Sequence, residues 1–177
     1  MRKLDTLFLD RDGVINVKLD GQYVENTDEF EFMVGVEAAI SKLSKIFNRI
    51  LIVTNQQGIA KGIMSDKDLG VLHDYMLFEL KKNGGVIDKI YYCPHLAAEN
   101  CSCRKPNPGM IQQAIIDFPE IKVEDSYLIG DSDTDILAGN KMGLITVKVD
   151  NKYTLSKWCD ELFSVINNNS NFVSQIR

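Results

Sequence analysis

The feature that most constrains this chain is an apolar run, Leu4 to Leu9, that ends abruptly in Asp10-Arg11-Asp12-Gly13. The run reads as a buried strand of a parallel sheet, which would deliver Asp10 and Asp12 together at its carboxyl end, where open α/β sheets bind their ligands. Gly13 lets the chain turn there. Two carboxylates so close repel each other, so they either share a proton or hold a cation between them. The second option is a magnesium site. An isolated pair of this kind is more often a solvated strand-to-loop junction, and only later segments overturn that reading.

Those segments come in alternation. A polar loop from Val17 to Glu31 follows the paired acids, and then Val36, Ala39, Ile40, Leu43 and Ile46 recur at helical spacing over Gly35 to Phe47. Ile50 to Val53 is a short β-branched strand that ends in Thr54-Asn55-Gln56-Gln57-Gly58. Ser65 is an N-cap with acids in the next turn, and opens a helix from Asp66 to Lys82 that Asn83-Gly84-Gly85 stops. Ile87 to Tyr92 is strand-like and runs into a cysteine cluster. Pro108 starts a helix through Phe118, and Tyr127 to Ile129 is a third apolar strand ending in Gly130-Asp131-Ser132-Asp133-Thr134-Asp135. A helix from Thr134 to Met142 stops at Gly143, Leu144 to Val149 is a further strand, and Leu155 to Ile166 is helical before Asn167 to Asn171 fray into polar sequence. Alternating strands and helices predict a mainly parallel central sheet with right-handed crossovers, a Rossmann-like three-layer α/β sandwich. No repeat, linker or domain break divides 1–177, which is expected to form a single domain.

At 177 residues and 45% apolar content the chain can bury a real core. A net charge of -5 and a pI near 5.1 oppose nonspecific binding to nucleic acid or anionic membrane, which draws its energy from neutralising phosphates. No apolar run approaches the roughly 20 residues that span a bilayer, and Met1-Arg2-Lys3-Leu4-Asp5 lacks the apolar core of a signal segment. A cytoplasmic protein is expected. With no conspicuous apolar stripe left over, it is expected to be a monomer.

Parallel strands place all their carboxyl ends on one edge, so Asp10/Asp12, Thr54/Asn55 and Asp131/Asp135 converge on one crevice. Oxygen donors on short side chains suit Mg²⁺, a small hard ion that takes substrate phosphate as a further ligand. Arg104-Lys105-Pro106 adds a cation pair for phosphate oxygens. The chemistry that needs this set is phosphoryl transfer: a dianionic phosphate monoester repels a carboxylate nucleophile unless Mg²⁺ and a lysine cancel that charge. An attacking Asp forms an aspartyl-phosphate, which water then hydrolyses.

Asp10-Arg11-Asp12-Gly13-Val14-Ile15-Asn16, Thr54-Asn55-Gln56, Arg104-Lys105-Pro106 and Gly130-Asp131-x-x-x-Asp135 resemble the four ordered motifs of the haloacid dehalogenase-like phosphatases, over nearly the whole chain. The resemblance implies Asp10 as nucleophile and Asp12 as the acid/base that protonates the leaving alkoxide and then activates water. It implies that Thr54 and Lys105 hold the transferring phosphoryl group, that Asn55 and Gln56 bind substrate, and that Asp131 ligates Mg²⁺ with Asp10 and the backbone carbonyl of Asp12. Asp135 would be auxiliary, acting through water or by orienting Lys105. Asp133 reads as a helix N-terminal acid favoured by the dipole.

Cys93-Pro94-His95 and Cys101-Ser102-Cys103 supply three thiolates and an imidazole, a complete tetrahedral shell with no open position, as in structural Zn²⁺ sites. Such a zinc loop over 93–103 would fix the entry of Arg104 and Lys105 into the crevice. Cys159 reads as a packed residue and His73 as a packing or surface residue. Within the family, this loop resembles two groups that lack a large cap: the D-glycero-D-manno-heptose 1,7-bisphosphate phosphatases of heptose (lipopolysaccharide or nucleotide-heptose) biosynthesis, and the histidinol-phosphate phosphatases. Here too the stretch from Asn16 to Thr54 has no room for a cap. Tyr23-Val24, Phe30-Glu31-Phe32 and Asn107-Pro108-Gly109-Met110 favour the heptose enzymes, whose 7-phosphatase activity is the expectation. The short segment between His95 and Cys101 is more like the histidinol-phosphate enzymes, which stay the alternative. On the heptose reading Arg104 and Ser132 face the substrate, while Lys18-Leu19-Asp20-Gly21-Gln22 departs from the family.

Two other classes compete. A phospho-Asp receiver domain also gathers acids and a lysine around Mg²⁺, but Asp12, a hydrolytic base two residues after the nucleophile, and the cysteine loop oppose it. A zinc-ribbon module for nucleic acid is opposed by the acidic charge and the lack of basic, aromatic stripes.

Overall fold

The structure, a computed structural model, describes residues 4–174, with side chains described through Asn168. Met1-Arg2-Lys3, whose sequence bore on targeting, lie outside the described residues. The strands are β1 (Leu4–Leu9), β2 (Phe47–Asn55), β3 (Lys89–Cys93), β4 (Tyr127–Gly130) and β5 (Ile145–Lys148). The helices are α1 (Val36–Ile46), α2 (Asp66–Lys82), α3 (Gly109–Asp117), α4 (Asp133–Met142) and α5 (Leu155–Ser174). All strand pairs are parallel, in the order β3-β2-β1-β4-β5.

Period-two alternation sorts the strand residues between two apolar layers. Leu7, Leu9, Ile50 and Ile52 pack with Ile40 and Leu43 of α1, Leu72 and Met76 of α2 and Trp158 and Cys159 of α5. Phe8, Leu51, Val53 and Leu128 pack on the other face with Met110, Ile111 and Ala114 of α3 and Ala138 of α4. The result is the expected three-layer α/β sandwich. The chain changes faces after β3, returning past β2 and β1 to lay down β4, so the crevice opens at the switch point beside β1.

Several boundaries differ from the sequence reading, those of β2 for a tertiary reason. Phe47 leaves the helical pattern and starts β2 in extended conformation, because it pairs in register with Leu4. At the other end β2 continues through Asn55, which pairs with Cys93. The helix at Leu155 does not stop at Ile166 but continues to Ser174, past the polar Asn167 to Asn171. Ser65 caps α2 as expected, in a reciprocal capping box with Asp68, and Gly143 ends α4 in the left-handed region. From Asp10 to Gly35 the chain forms no regular element, only bridges between Asp12 and Asn16 and between Asn16 and Phe32, so this wall of the crevice is a loop and not a cap. Among the described residues no helix is long and apolar enough to cross a membrane.

Candidate active site

The carboxyl ends of β1, β2 and β4 meet at a crevice of about 450 Å³ lined by Asp10, Asp12, Thr54, Lys105 and Asp131, with Tyr23 among the loop residues on its wall. Two glycines make the approach of these strand ends feasible. Gly13 turns with φ 86°, and a Cβ on it would lie 2.6 Å from Asp131 Oδ2. At Gly130 a Cβ would collide with the Asp135 side chain.

Lys105 is the electrostatic centre. Only 4% exposed, it places Nζ 2.9 Å from Asp10 Oδ1 and 2.5 Å from Asp135 Oδ1, and donates to the Val53 carbonyl at 2.7 Å. Its backbone is clasped by Asn55, whose Nδ2 donates to the Lys105 carbonyl at 3.2 Å while its Oδ1 accepts from the Lys105 amide at 3.1 Å. The Lys105-Pro106 peptide is cis. Burial works to lower the Lys105 pKa, but the Asp10 and Asp135 carboxylates outweigh it and hold the pKa above the ordinary lysine value. Burial lifts Asp10 to about 7 against the opposing pull of Lys105, with Asp135 and Asp12 adding to the rise. Asp135 is fully buried and pairs with Lys105 directly, which gives it the orienting geometry among the two roles expected for it.

Asp12 is held differently. Its Oδ1 accepts from Arg11 Nη2 at 2.9 Å and Asn16 Nδ2 at 2.9 Å, and its Oδ2 accepts from Arg11 Nη2 at 3.0 Å and Gln56 Nε2 at 2.9 Å. Burial raises its pKa, yet the Arg11 charge and these hydrogen bonds prevail and hold it below the usual carboxylate range. Gln56 Nε2 also donates to Thr54 Oγ1 at 2.9 Å. The side-chain amides of Asn55 and Gln56, expected on substrate, are thus engaged within the protein. Ser132 lines the crevice, but its hydroxyl donates to Asp135 Oδ2 at 2.6 Å and lies 2.8 Å from Thr134 Oγ1. Arg104 also lines it, reaching the His95 carbonyl at 3.3 Å. Asp133 is exposed at the start of α4 and pairs with Lys148 at 2.6 Å.

Carboxylate oxygens of Asp10, Asp131 and Asp135 can all lie within 4.8 Å of one another. Asp131 Oδ1 is buried and has no hydrogen-bond partner among the described residues. A bare anionic oxygen beside two further carboxylates fits a hard divalent cation. The Asp12 carboxylate, turned to Arg11, Asn16 and Gln56, is outside this cluster, so only its backbone carbonyl is left for such an ion. Sequence reasoning singled out Lys18 only as part of a loop that departs from the family and did not anticipate its ion pair, Nζ lying 2.6 Å from Asp131 Oδ2. It also missed the Arg11 side chain, 1% exposed; His73, read as a packing or surface residue, is packed at 7% exposure, with its Nε2 3.3 Å from Arg11 Nη1. Burial and the neighbouring guanidinium push His73 down to about 3, so the ring is neutral at ordinary pH.

The cysteine loop is closed on itself. Sγ of Cys103 lies 3.0 Å from that of Cys93 and 3.5 Å from that of Cys101, Cys93 and Cys101 are 3.5 Å apart, and His95 Nδ1 is 3.2 Å from Cys103 Sγ and 3.6 Å from Cys93 Sγ. A tetrahedron with metal-sulfur bonds of about 2.3 Å has edges of roughly 3.8 Å, so four donors at these separations can hold a metal ion. Cys159 is buried and apart, as expected.

The family model described as HAD-hydrolase-like matches residues 102–164. The chain is 41% identical over 130 residues to the D-glycero-alpha-D-manno-heptose-1,7-bisphosphate 7-phosphatase of Mycobacterium tuberculosis, covering 73% of this chain and 68% of the relative. It is 40% identical over 152 residues to the D-glycero-beta-D-manno-heptose-1,7-bisphosphate 7-phosphatase of Helicobacter pylori, covering 85% and 83%. The D,D-heptose 1,7-bisphosphate phosphatase of B. bronchiseptica, complexed with magnesium and phosphate, superposes with a TM-score of 0.83 at 30% identity, over 93% of this chain and 99% of that one. With four ordered motifs lining one crevice and these relatives matched over most of its length, the chain belongs to the haloacid dehalogenase-like phosphatases, in the family that holds the heptose-1,7-bisphosphate 7-phosphatases.

Proposed function

We propose that this enzyme removes the 7-phosphate of D-glycero-D-manno-heptose 1,7-bisphosphate through an aspartyl-phosphate on Asp10. The observation that carries the mechanism is Lys105 Nζ fixed between Asp10 and Asp135, which sets a nucleophilic carboxylate and a phosphate-binding cation side by side. A carboxylate of Asp10 attacks phosphorus, and the bond from phosphorus to the sugar oxygen breaks. Thr54 and Lys105 hold the phosphoryl oxygens through the transfer. Asp12 gives its proton to the leaving alkoxide, then takes one from the water that attacks the aspartyl-phosphate and releases inorganic phosphate. The grip of Arg11, Asn16 and Gln56 favours the ionised form of Asp12, which the second half requires; the negative charge of a bound monoester opposes Arg11 and favours the proton needed in the first.

Asp10, Asp131 and the backbone carbonyl of Asp12 would hold Mg²⁺, whose chemistry there is to neutralise charge on the phosphoryl oxygens. Cys93, His95, Cys101 and Cys103 would hold a structural Zn²⁺, anchoring the segment that leads into Arg104 and Lys105. A bisphosphate is supported by the cations beyond Lys105 on the crevice wall, Lys18, Lys61 and Arg104, and by the printed activity of the relatives. Arg104 and Ser132 are the substrate contacts of this reading, with Asn55 and Gln56 holding Lys105, Asp12 and Thr54 in place behind them.

Phosphate release from heptose 1,7-bisphosphate and from histidinol phosphate, with and without Mg²⁺, tests the reading. The expected kcat/KM for the bisphosphate exceeds that for histidinol phosphate at least about 100-fold, as befits a site built for a second charged group. A ratio near one or in favour of histidinol phosphate would sink the substrate assignment. A long-lived aspartyl-phosphate without phosphate release would sink the phosphatase mechanism.

A further inference from the structure

Asp12 is gripped by Arg11 in an unusual way. An arginine that holds a carboxylate with a two-nitrogen fork fixes its own orientation. Here a single nitrogen, Nη2, serves both oxygens, at 2.9 and 3.0 Å. Such a grip leaves the guanidinium plane free to pivot unless something holds its other nitrogens. Arg11 Nε is buried and has no hydrogen-bond partner among the described residues. What remains is Nη1, and its neighbour is His73 Nε2 at 3.3 Å.

A guanidinium can only donate, so this contact is favourable only if Nε2 is the unprotonated ring nitrogen and the proton sits on Nδ1. His73 lies near the middle of α2, outside every motif of the sequence, and its ring meets that of Tyr92 edge-on with centroids 6.1 Å apart. Tyr92 is in turn fixed by its hydroxyl, which donates to Asp66 Oδ1 at 3.0 Å. The helix face and β3 thus hold the imidazole, the imidazole holds the guanidinium, and the guanidinium aims the Asp12 carboxylate.

We propose that His73 is a positioning residue for proton transfer, acting through Arg11 to orient the Asp12 carboxylate toward the leaving oxygen. The proposal rests on Asp12 as acid/base, and leaving-group dependence separates it from a merely structural role. A sugar alkoxide needs a proton to depart, whereas nitrophenolate leaves without one, so misaiming Asp12 slows release from the first kind of ester and spares the second.

The experiment is single-turnover release of the leaving group, enzyme in excess with Mg²⁺, from heptose 1,7-bisphosphate and from nitrophenyl phosphate. His73→Leu and His73→Phe remove the acceptor, one smaller than the ring and one of similar volume, so a folding failure of either leaves the other to report. The expected result is a roughly 10- to 100-fold slower release from the bisphosphate with the half-saturating concentration unchanged. Release from nitrophenyl phosphate is expected to stay within about threefold of the parent. His73→Gln, which can present an amide oxygen to Arg11, is expected to recover most of the loss. Equal slowing of both esters, no slowing, or a Gln variant no better than Leu and Phe overturns the proposal. Asp12→Asn run alongside tests the underlying reading: if it slows both esters equally, Asp12 is not the proton donor and the inference falls with it. If Asp12→Asn discriminates between the esters and the His73 variants do not, the role of His73 alone is refuted.

Discussion

Replacing Lys105 by Met removes the cation that, among the described residues, touches both Asp10 and Asp135 while keeping an unbranched chain in the same volume. Two carboxylates are then left without the partner at 2.9 and 2.5 Å, one of them fully buried, and the Val53 carbonyl loses its donor. Breaking a buried pair from one side costs about 3–5 kcal/mol, so the metal-free variant is expected to lose about 4 kcal/mol of unfolding free energy. In a chain of this size that lowers Tm by roughly 8–16 °C. The loss carries a pH signature. Asp10 already binds its proton more tightly folded, at about 7, than unfolded, so its contribution declines as pH rises from the ordinary carboxylate value to 7. Without Lys105 the folded pKa moves higher still, and the decline extends past pH 7 at about 1.4 kcal/mol per pH unit. Urea denaturation at pH 6, 7 and 8 in chelator reads both effects. Mg²⁺ is expected to restore more stability to the variant than to the parent, since a divalent ion among Asp10, Asp131 and Asp135 replaces the missing charge. A loss below about 1 kcal/mol at pH 8, or parallel pH profiles for variant and parent, would show that Lys105 does not neutralise this cluster.

Two further outcomes follow from the same geometry. Asp10→Asn is expected to abolish phosphate release, with residual activity below about one part in a thousand, while circular dichroism and Tm stay native or rise, because a buried charge is removed with the nucleophile. Higher residual turnover, after contaminating phosphatase is excluded, would remove Asp10 from that role. Cys101→Ser opens the four-donor shell at 93–103 and is expected to release the bound metal, to lower Tm and to weaken binding of inorganic phosphate, since the loop leads directly into Arg104 and Lys105. Metal content equal to the parent by elemental analysis would refute the shell.

The family resemblance was legible because three of the four motifs sit where the chain leaves an apolar strand, and parallel strands bring such exits to one edge whatever their spacing in sequence, while the fourth, Arg104-Lys105-Pro106, follows directly on the cysteine loop. The order of helices and strands was legible for a similar local reason: Val36, Ala39, Ile40 and Leu43 repeat at helical spacing, Ser65 caps α2, and Gly143 ends α4. What could not be read were states fixed by partners distant in sequence. Phe47 is strand and not helix because Leu4 lies beside it, and Asn55 turns to the backbone of Lys105 because β2 and the loop after the cysteines meet there.

The sequence by itself determined the chemistry available to this protein: two acids after one strand, a threonine after the next, a lysine after a four-donor metal loop, and a further pair of acids after a glycine. Local pattern suffices for that, since residue type and strand-end position are both properties of short segments. Only the tertiary structure decided how the charges are divided. It placed Lys105 between Asp10 and Asp135, left Asp131 with a bare oxygen, and turned Asp12 toward Arg11 and away from the other carboxylates. It also brought His73 from a helix without any motif to the back of Arg11. Pairing of buried charges depends on distance and desolvation in three dimensions, and neither is encoded in the spacing of residues along the chain.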